Sequence, residues 1–469
     1  MASDPIKHVF VLMLENRSFD QMLGCYDPDV DGVNPASPGV NRLEGGGEYR
    51  QRPIAESTFG FDPDHECESV LQQIADGNSG FIQNFHDTHD DADPARDYQP
   101  VMDYFARGQV AALHALADSF AVCDRWYSSL PGPTWPNRFF VHSGTSLGAV
   151  KMGPLHSLGY SQRTIYDEFD DHGITWAIYA GDLPQCLLLT RLRRSDRRGH
   201  FHMLDMLYSH CARQEQAIPN YVFIEPRYFL PHQNDDHPPH DVALAQELLA
   251  SIYNAIRANI ELWKSTLLVV LYDEHGGFYD HVTPPPAVPP DASTSTNPTF
   301  GFDQLGVRVP AVFVSPWIDH SFFGSRQGFV FDHTSLLKYV SDKWRLNYLN
   351  ARVRQAQNFD FIVRSSGDPR LDDTPKFIAM PATPVSRVAG APLAAAPVGA
   401  GSAKPKVAMP PLNENQRGLA AFFQIQPITD SELLHEAVAP QMAAAAATPS
   451  PQIAKAKFQE WIAGLDPAP

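Results

Sequence analysis

The stretch Leu271-Tyr-Asp-Glu-His-Gly-Gly-Phe-Tyr-Asp-His281 ends an apolar run, Leu267 to Leu271, in two adjacent carboxylates, a histidine and two glycines. An apolar run of that length reads as a buried strand. Open α/β sheets bind ligands where their strands end at the carboxyl edge, so Asp273, Glu274 and His275 are expected at the mouth of a sheet. Two neighbouring carboxylates repel unless a cation or a proton lies between them; the economical chemistry is a bound divalent metal. The run before Leu14-Glu-Asn-Arg-Ser-Phe-Asp20 delivers Glu15 and Asn16 by the same device. Both offer oxygen ligands, which hard cations prefer. Alone, Asn16 to Asp20 reads equally as a turn and a helix cap. Beside a second acidic strand end, ligation by Glu15, Asn16, Asp273 and Glu274 is the stronger reading.

A third segment, Leu130-Pro-Gly-Pro-Thr-Trp-Pro-Asn-Arg138, supplies a hydroxyl. Pro136 suits a first helical turn, which puts Thr134 just before the helix, where free N–H groups and the dipole favour anions. A threonine there, touching a metal, can ionise and attack phosphorus; the bland alternative is a Pro/Gly turn with a capping threonine. Ser143 and Thr145 are competing hydroxyls but lie too far inside the helix. Arg138 either clamps phosphate or braces the loop. In Asn234-Asp-Asp-His-Pro-Pro-His-Asp241, His237 and His240 can hold phosphate oxygens or protonate a leaving group, or simply sit on a helix-entry loop. His333, in Phe331-Asp-His-Thr-Ser-Leu336, and His86, in Asn84-Phe-His-Asp-Thr-His89, are weaker candidates for contacting substrate.

The elements that must position these groups alternate. Strands are expected at Ile6–Leu14, Ile174–Tyr179, Tyr221–Ile224, Leu267–Tyr272 and Val307–Val314, mostly continuous apolar runs of the kind a covered parallel sheet requires. Helices are expected at Asp103–Phe120, Asp241–Ala258 and Thr334–Trp344. Alternation of this kind predicts a layered α/β fold. Pro284 to Gly306 reads as a lid over the site or a long surface loop. The chain divides into a catalytic domain over 1–373, an Ala/Pro-rich linker or arm over 374–411, and a C-terminal extension over 412–469. In that extension Leu412–Phe423 and Ile453–Leu465 are helical candidates for packing back on the body.

At 469 residues with a formal net charge of -18, the chain lacks the basic face a nucleic-acid binder needs. No apolar run approaches the ~18 residues of a membrane span. The basic cluster Arg191 to Arg198 is a solvated loop or a site for an anionic surface. The five cysteines show no metal-type spacing, and no signal peptide is readable. Both features predict free thiols and a cytoplasmic protein, or a secreted or periplasmic one if a leader has been removed.

Taken together, His8–Asp20, Gly132–Arg138, Asp236–Pro239, Asp273–His281 and Asp332–Ser335 resemble, in order, the motifs of the bacterial phosphoesterase family of phosphatidylcholine-type phospholipases C and acid phosphatases. The resemblance spans roughly residues 6–345. It implies an alkaline phosphatase-like fold, a three-layer α/β/α sandwich with a mostly parallel central sheet. It implies Thr134 as nucleophile and one divalent ion held by Glu15, Asn16, Thr134, Asp273 and Glu274. Calcium, magnesium or manganese is favoured over a two-zinc centre, which would need several histidine ligands at zinc spacing. His237 and His275 match family motifs and are the expected catalytic histidines; His86, His240 and His333 rest on their place in the chain and, with Arg138, are expected to contact substrate. The implied activity is metal-dependent hydrolysis of phosphoric esters through a phosphothreonine, phospholipase C-like on phosphocholine-type diesters. The alternatives are an acid phosphatase acting on soluble monoesters and, more remotely, a non-catalytic binding protein on a hydrolase scaffold. The expected partner is a phosphate ester, with transient contact to a lipid surface left open, while the tail beyond residue 374 has no counterpart in the family motifs.

Overall fold

A computed structural model describes residues 4–54, 57–89, 97–152, 159–229, 232–379, 412–425 and 450–463. Its centre is an eight-stranded sheet. In chain order the strands are β1 (His8–Leu14), β2 (Ala121–Cys123), β3 (Trp176–Ala180), β4 (Phe201–Met203), β5 (Tyr221–Glu225), β6 (Thr266–Tyr272), β7 (Ala311–Val314) and β8 (Ser321–Phe323). In space they lie β8-β2-β7-β6-β1-β5-β3-β4. β7 runs against both its neighbours; the other adjacent pairs are parallel.

Every residue of β1, β3, β5, β6 and β7 is buried. Successive side chains on a strand point to opposite faces, so both faces of the sheet are covered. The helices that cover them form two groups. Val242–Ala258 packs with Ala111–Ala117, Asp205–Cys211 and Ile260–Trp263, whereas Thr134–Ser143 packs with Ile165–His172 and His333–Trp344. The expected α/β/α sandwich is therefore the observed one. Each buried Val, Leu, Phe or Met of β1 and β6 stabilises the fold by about 1.5–3 kcal/mol. A slip of one residue would reverse every side chain, so the core itself fixes where these two strands stop.

Two expectations are corrected. The strand expected over Val307–Val314 starts only at Ala311 and is antiparallel; Pro310 has no N–H to carry a ladder across. The helix expected over Asp103–Phe120 is a short strand, Asp103–Phe105, followed by a helix over Ala111–Ala117. Gly108, at φ +86°, breaks the run between them. The segment Pro284–Gly306, read as a lid or a long surface loop, contacts the 145–150 loop: Thr145 Oγ1 donates to Asp291 Oδ2 (2.5 Å) and Thr296 N to Gly148 O (2.8 Å).

Further contacts define the helix starts and the C-terminal extension. Asp241 and Asp332 cap the helices Val242–Ala258 and His333–Trp344 by accepting from the N–H groups of Ala243 and Thr334. Helices Glu414–Ile425 and Pro451–Ala463 pack against each other and onto the body, burying Leu419, Ala420, Phe422 and Phe458. Residues 374–379 are held to helix Val242–Ala258 through Asn254 and Tyr253; the rest of the Ala/Pro-rich segment lies outside the described residues. Arg197 and Arg191 of the basic cluster are spent on Asp167 and Asp170. No described helix is long and apolar enough to cross a membrane.

His142 gives this core a pH signature. Its ring packs on Phe223 of β5 with centroids 4.5 Å apart, and its Nδ1 lies 3.1 Å from the Tyr166 hydroxyl. Burial, helped by the Arg138 charge, pushes its pKa down from 6.5 to about 3. The folded state therefore keeps the ring neutral while the unfolded chain protonates it. Stability is complete above 6.5 and drains away as pH falls toward 3, by at most about 1.4 kcal/mol per pH unit. Thermal melts between about pH 6 and pH 4 should show a shallower loss of midpoint in His142→Phe than in the parent protein; parallel slopes would contradict this account.

Candidate active site

The parallel pairing of β1 with β6 sets Leu14 opposite Tyr272 at the strand ends. The two chains continue side by side for one more step. Asp273 N donates to Leu14 O (3.2 Å), Asn16 N to Asp273 Oδ1 (3.1 Å) and Arg17 N to Glu274 O (3.0 Å). Glu15, Asn16, Asp273 and Glu274 thus converge, each fully buried. The turn is tight: Asn16 has φ +58° and Gly276 φ +65°. A Cβ on Gly276 would stand 2.3 Å from the Asn16 carbonyl oxygen.

Thr134 is the first residue of helix Thr134–Ser143, after a Pro133 cap. It is buried, and its Oγ1 lies 3.5 Å from Asn16 Oδ1. Asn137 shapes the loop in front of it, donating to the carbonyls of Leu130, Gly132 and Pro133 and accepting from Leu130 N. Arg138 was open to two roles, and the structure gives it the bracing one. Its Nε donates to Asp273 Oδ2 at 2.9 Å, and its Nη2 stands 3.3 Å from Glu15 Oε1. At 2% exposure it lies beneath the carboxylates.

The charges do not balance within this set. Burial drives Glu15 well above the usual carboxylate range against the pull of Arg138. Burial likewise pushes Asp273 up to about 7, with Arg138 opposing and Glu274 assisting. Burial works in the same direction on Glu274, but His65 and His275 outweigh it and hold that carboxyl low. Glu274 Oε1 is buried without a hydrogen-bond partner. Three buried carboxylates, one of them with an unpartnered oxygen, one amide oxygen and one hydroxyl, facing only Arg138 and His65 as positive charges, suit a hard divalent cation.

The histidines fall differently from expectation. His65, which motif reading passed over, stands at the centre. Its Nδ1 contacts Pro63 O (2.8 Å), leaving Nε2 3.1 Å from Asn16 Nδ2 and 3.9 Å from Glu274 Oε1. Burial opposes its protonation, but Glu274 and Asp62 overcome that and push its pKa up to about 10. His237 is arranged alike, with Nδ1 2.6 Å from Pro238 O and Nε2 3.9 Å from Asp62 Oδ2. Asp62, His65 and His237 present ligand atoms within 4.8 Å of one another. The Asp-Pro-Asp-His pattern of 62–65 was the available signal.

His86, expected at substrate, instead pairs with Asp87 and packs beside Tyr98; its helix reaches the cavity with Thr88 and His89. His275 has both nitrogens engaged, Nε2 by Gln73 Oε1 (2.8 Å) and Nδ1 by Glu274 Oε2 (3.5 Å). His333 is likewise enclosed, between the Asp273 carbonyl (2.7 Å) and Trp126 Nε1 (3.3 Å). These two rings orient Glu274 and Asp273. His240 leans on Asp235 (2.6 Å) beside His237. A second carboxylate–histidine group, Asp20, Asp280 and His281, is neutralised by Arg308, which reaches Asp20 Oδ1 and Asp280 Oδ1 at 2.9 Å each. It ties the 16–20 turn to the 276–281 turn.

A cavity of about 270 Å³ opens in front of His65 and His237, between residues 62–66 and Asn413–Arg417 of the C-terminal extension. The model of the Phosphoesterase family matches residues 6–347. Non-specific phospholipase C3 of Arabidopsis thaliana is 36% identical over 403 residues, covering 79% of this chain and 76% of its own. Non-specific phospholipase C6 of the same plant is 38% identical over 394 residues, covering 78% and 74%. Phospholipase C B of Mycobacterium tuberculosis is 27% identical over 443 residues, covering 81% and 82%.

The turn geometry yields a direct test. Gly276→Ala places a methyl against the Asn16 carbonyl at a positive φ, which should cost about 1–3 kcal/mol or more. Urea denaturation measures it, and a variant as stable as the parent would show that the two strand ends are not pressed together as described.

Proposed function

The chain belongs to the Phosphoesterase family and hydrolyses phosphoric esters, and we propose that it does so as a phospholipase C-like diesterase through a phosphothreonine at Thr134. The observation that carries this reading is the placing of the Thr134 hydroxyl, at a helix N-terminus and 3.5 Å from Asn16 Oδ1, beside an uncompensated carboxylate set. Glu15, Asn16, Thr134, Asp273 and Glu274 would hold one divalent cation, of which calcium, magnesium and manganese fit the oxygen donors. Such an ion supplies Lewis acidity, favouring the threonine alkoxide and drawing charge from a phosphate oxygen.

The rest is work for the chain's own residues. The N–H groups of Thr134 and Trp135 at the helix start would face the incoming anion; Pro136 has none and that of Asn137 is given to Pro133 O. His65, beside Glu274 and Asp62, would donate to a phosphoryl oxygen from Nε2 once that nitrogen is protonated and turned from the Asn16 amide it faces at 3.1 Å. Thr134 Oγ, its proton given up to solvent as the alkoxide forms, would bond to phosphorus as the bond to the alcohol breaks, and the alcohol would leave with a proton from His237 or His65. Water then attacks the phosphothreonine while the same histidine takes its proton. His275 and His333 position Glu274 and Asp273. Orientation and preorganised charge supply most of the acceleration in transfers of this kind.

The plant and mycobacterial relatives favour a phospholipase C-like substrate, a phosphocholine-type diester that sheds its alcohol. The small cavity with polar walls favours a second reading, an acid phosphatase acting on soluble monoesters. Rates on p-nitrophenyl phosphorylcholine against p-nitrophenyl phosphate separate the two, and the diester is expected to be the better substrate. Thr134→Ala should fold normally yet lose turnover by several orders of magnitude; near-parental turnover would remove Thr134 as nucleophile. Asp273→Asn should weaken Mn²⁺ binding at least about tenfold in calorimetric titration.

A further inference from the structure

The helix Glu414–Ile425 follows a segment beyond the residues the family model matches, yet it enters the site. Asn415, 1% exposed, makes three contacts there. Its Nδ2 donates to Glu15 Oε1 at 3.2 Å and lies 3.3 Å from Oε2, and its Oδ1 accepts from Trp135 Nε1 at 2.7 Å. Trp135 is the neighbour of Thr134. The helix backbone is pressed on the same indole: a Cβ on Gly418 would stand 2.4 Å from Trp135 Cη2. Gln416 Nε2 anchors the helix to Tyr228 O at 2.6 Å without touching Glu15.

We propose that Asn415 is a positioning residue of the catalytic centre, fixing the Glu15 carboxylate and the first turn that carries Thr134 with one amide. The inference rests on the reading of Glu15 as a cation ligand. Glu15 also accepts from Gln185 and faces Arg138, but both approach Oε1; Asn415 reaches both oxygens. A carboxylate free to turn about its last bonds would have to be ordered by the arriving ion, at a cost in affinity. The residue type matters as well. An amide offers a donor to Glu15 and an acceptor to Trp135 at once, whereas an aspartate would keep the Trp135 bond and set a like charge 3.2 Å from Glu15. The C-terminal extension is on this account a wall of the site, not an appended arm.

The test uses the full chain with Mn²⁺ as probe, measuring the dissociation constant by calorimetry, the resonance of the bound ion, and kcat and KM on p-nitrophenyl phosphorylcholine. Asn415→Ala and Asn415→Asp should each weaken Mn²⁺ binding and lower kcat at least tenfold, with KM within threefold and thermal midpoints near the parent's. Gln416→Ala, which removes only an anchor of the helix, should stay within twofold on every measure. Asn415 variants that bind Mn²⁺ as the parent does would overturn the proposal. So would a Gln416→Ala variant that reproduces the whole loss, since docking alone would then explain it. Should Asn415→Ala fail to fold, Asn415→Asp, which keeps the Trp135 bond, decides by the same two readings. A parent protein that binds no Mn²⁺ would overturn the reading of the site itself, a result distinct from either.

Discussion

The whole arrangement depends on the in-register pairing of two fully buried parallel strands. Because Leu14 faces Tyr272, the residues that follow are obliged to leave the sheet together. Four ligand-type side chains are thereby concentrated at one edge without any of them having to seek the others. The core that holds the register is large and apolar, so the register resists the repulsion it creates. Burial that stabilises the sheet is the same burial that lifts Glu15 and Asp273 above their ordinary range.

That imbalance organises the surroundings. Arg138 stands below the carboxylates, and His333 and His275 hold the backbone of Asp273 and the side chain of Glu274. Above them, His65 and His237 each have Nδ1 against a proline-loop carbonyl, which turns Nε2 of His65 toward Asn16 and Glu274 and Nε2 of His237 toward Asp62. The site is thus layered: a cationic floor, an acidic middle and a histidine roof.

Much of this was legible in the chain. Four of the five expected strands, the long helix before β6 and the convergence of Glu15 and Asn16 with Asp273 and Glu274 follow from apolar runs that end in polar residues. What escaped did so for physical reasons. β2, β4 and β8 are three-residue strands, too short to show a period. Gly108 interrupts a helical pattern that composition alone leaves whole. His65 precedes a short helix and follows no strand, so the strand-end argument does not reach it, and His86 drew attention through its neighbours rather than its environment. Arg138 and His333 have the right chemistry for substrate, but their partners, Asp273 with Glu15 and the Asp273 carbonyl with Trp126, follow from tertiary contacts that no local motif displays. The Asn415 contact was unreadable because nothing local in Asn413–Gln416 distinguishes it from any helix start.

The contact between Asn415 and Glu15 spans 400 residues of sequence. A ribosome releases the chain from its N-terminus, and domains generally fold in that order. All eight strands, through β8 at Phe323, emerge while residue 415 is still unmade. The newborn protein therefore passes through a stage in which its central sheet is complete while Glu15 still waits for its Asn415 partner.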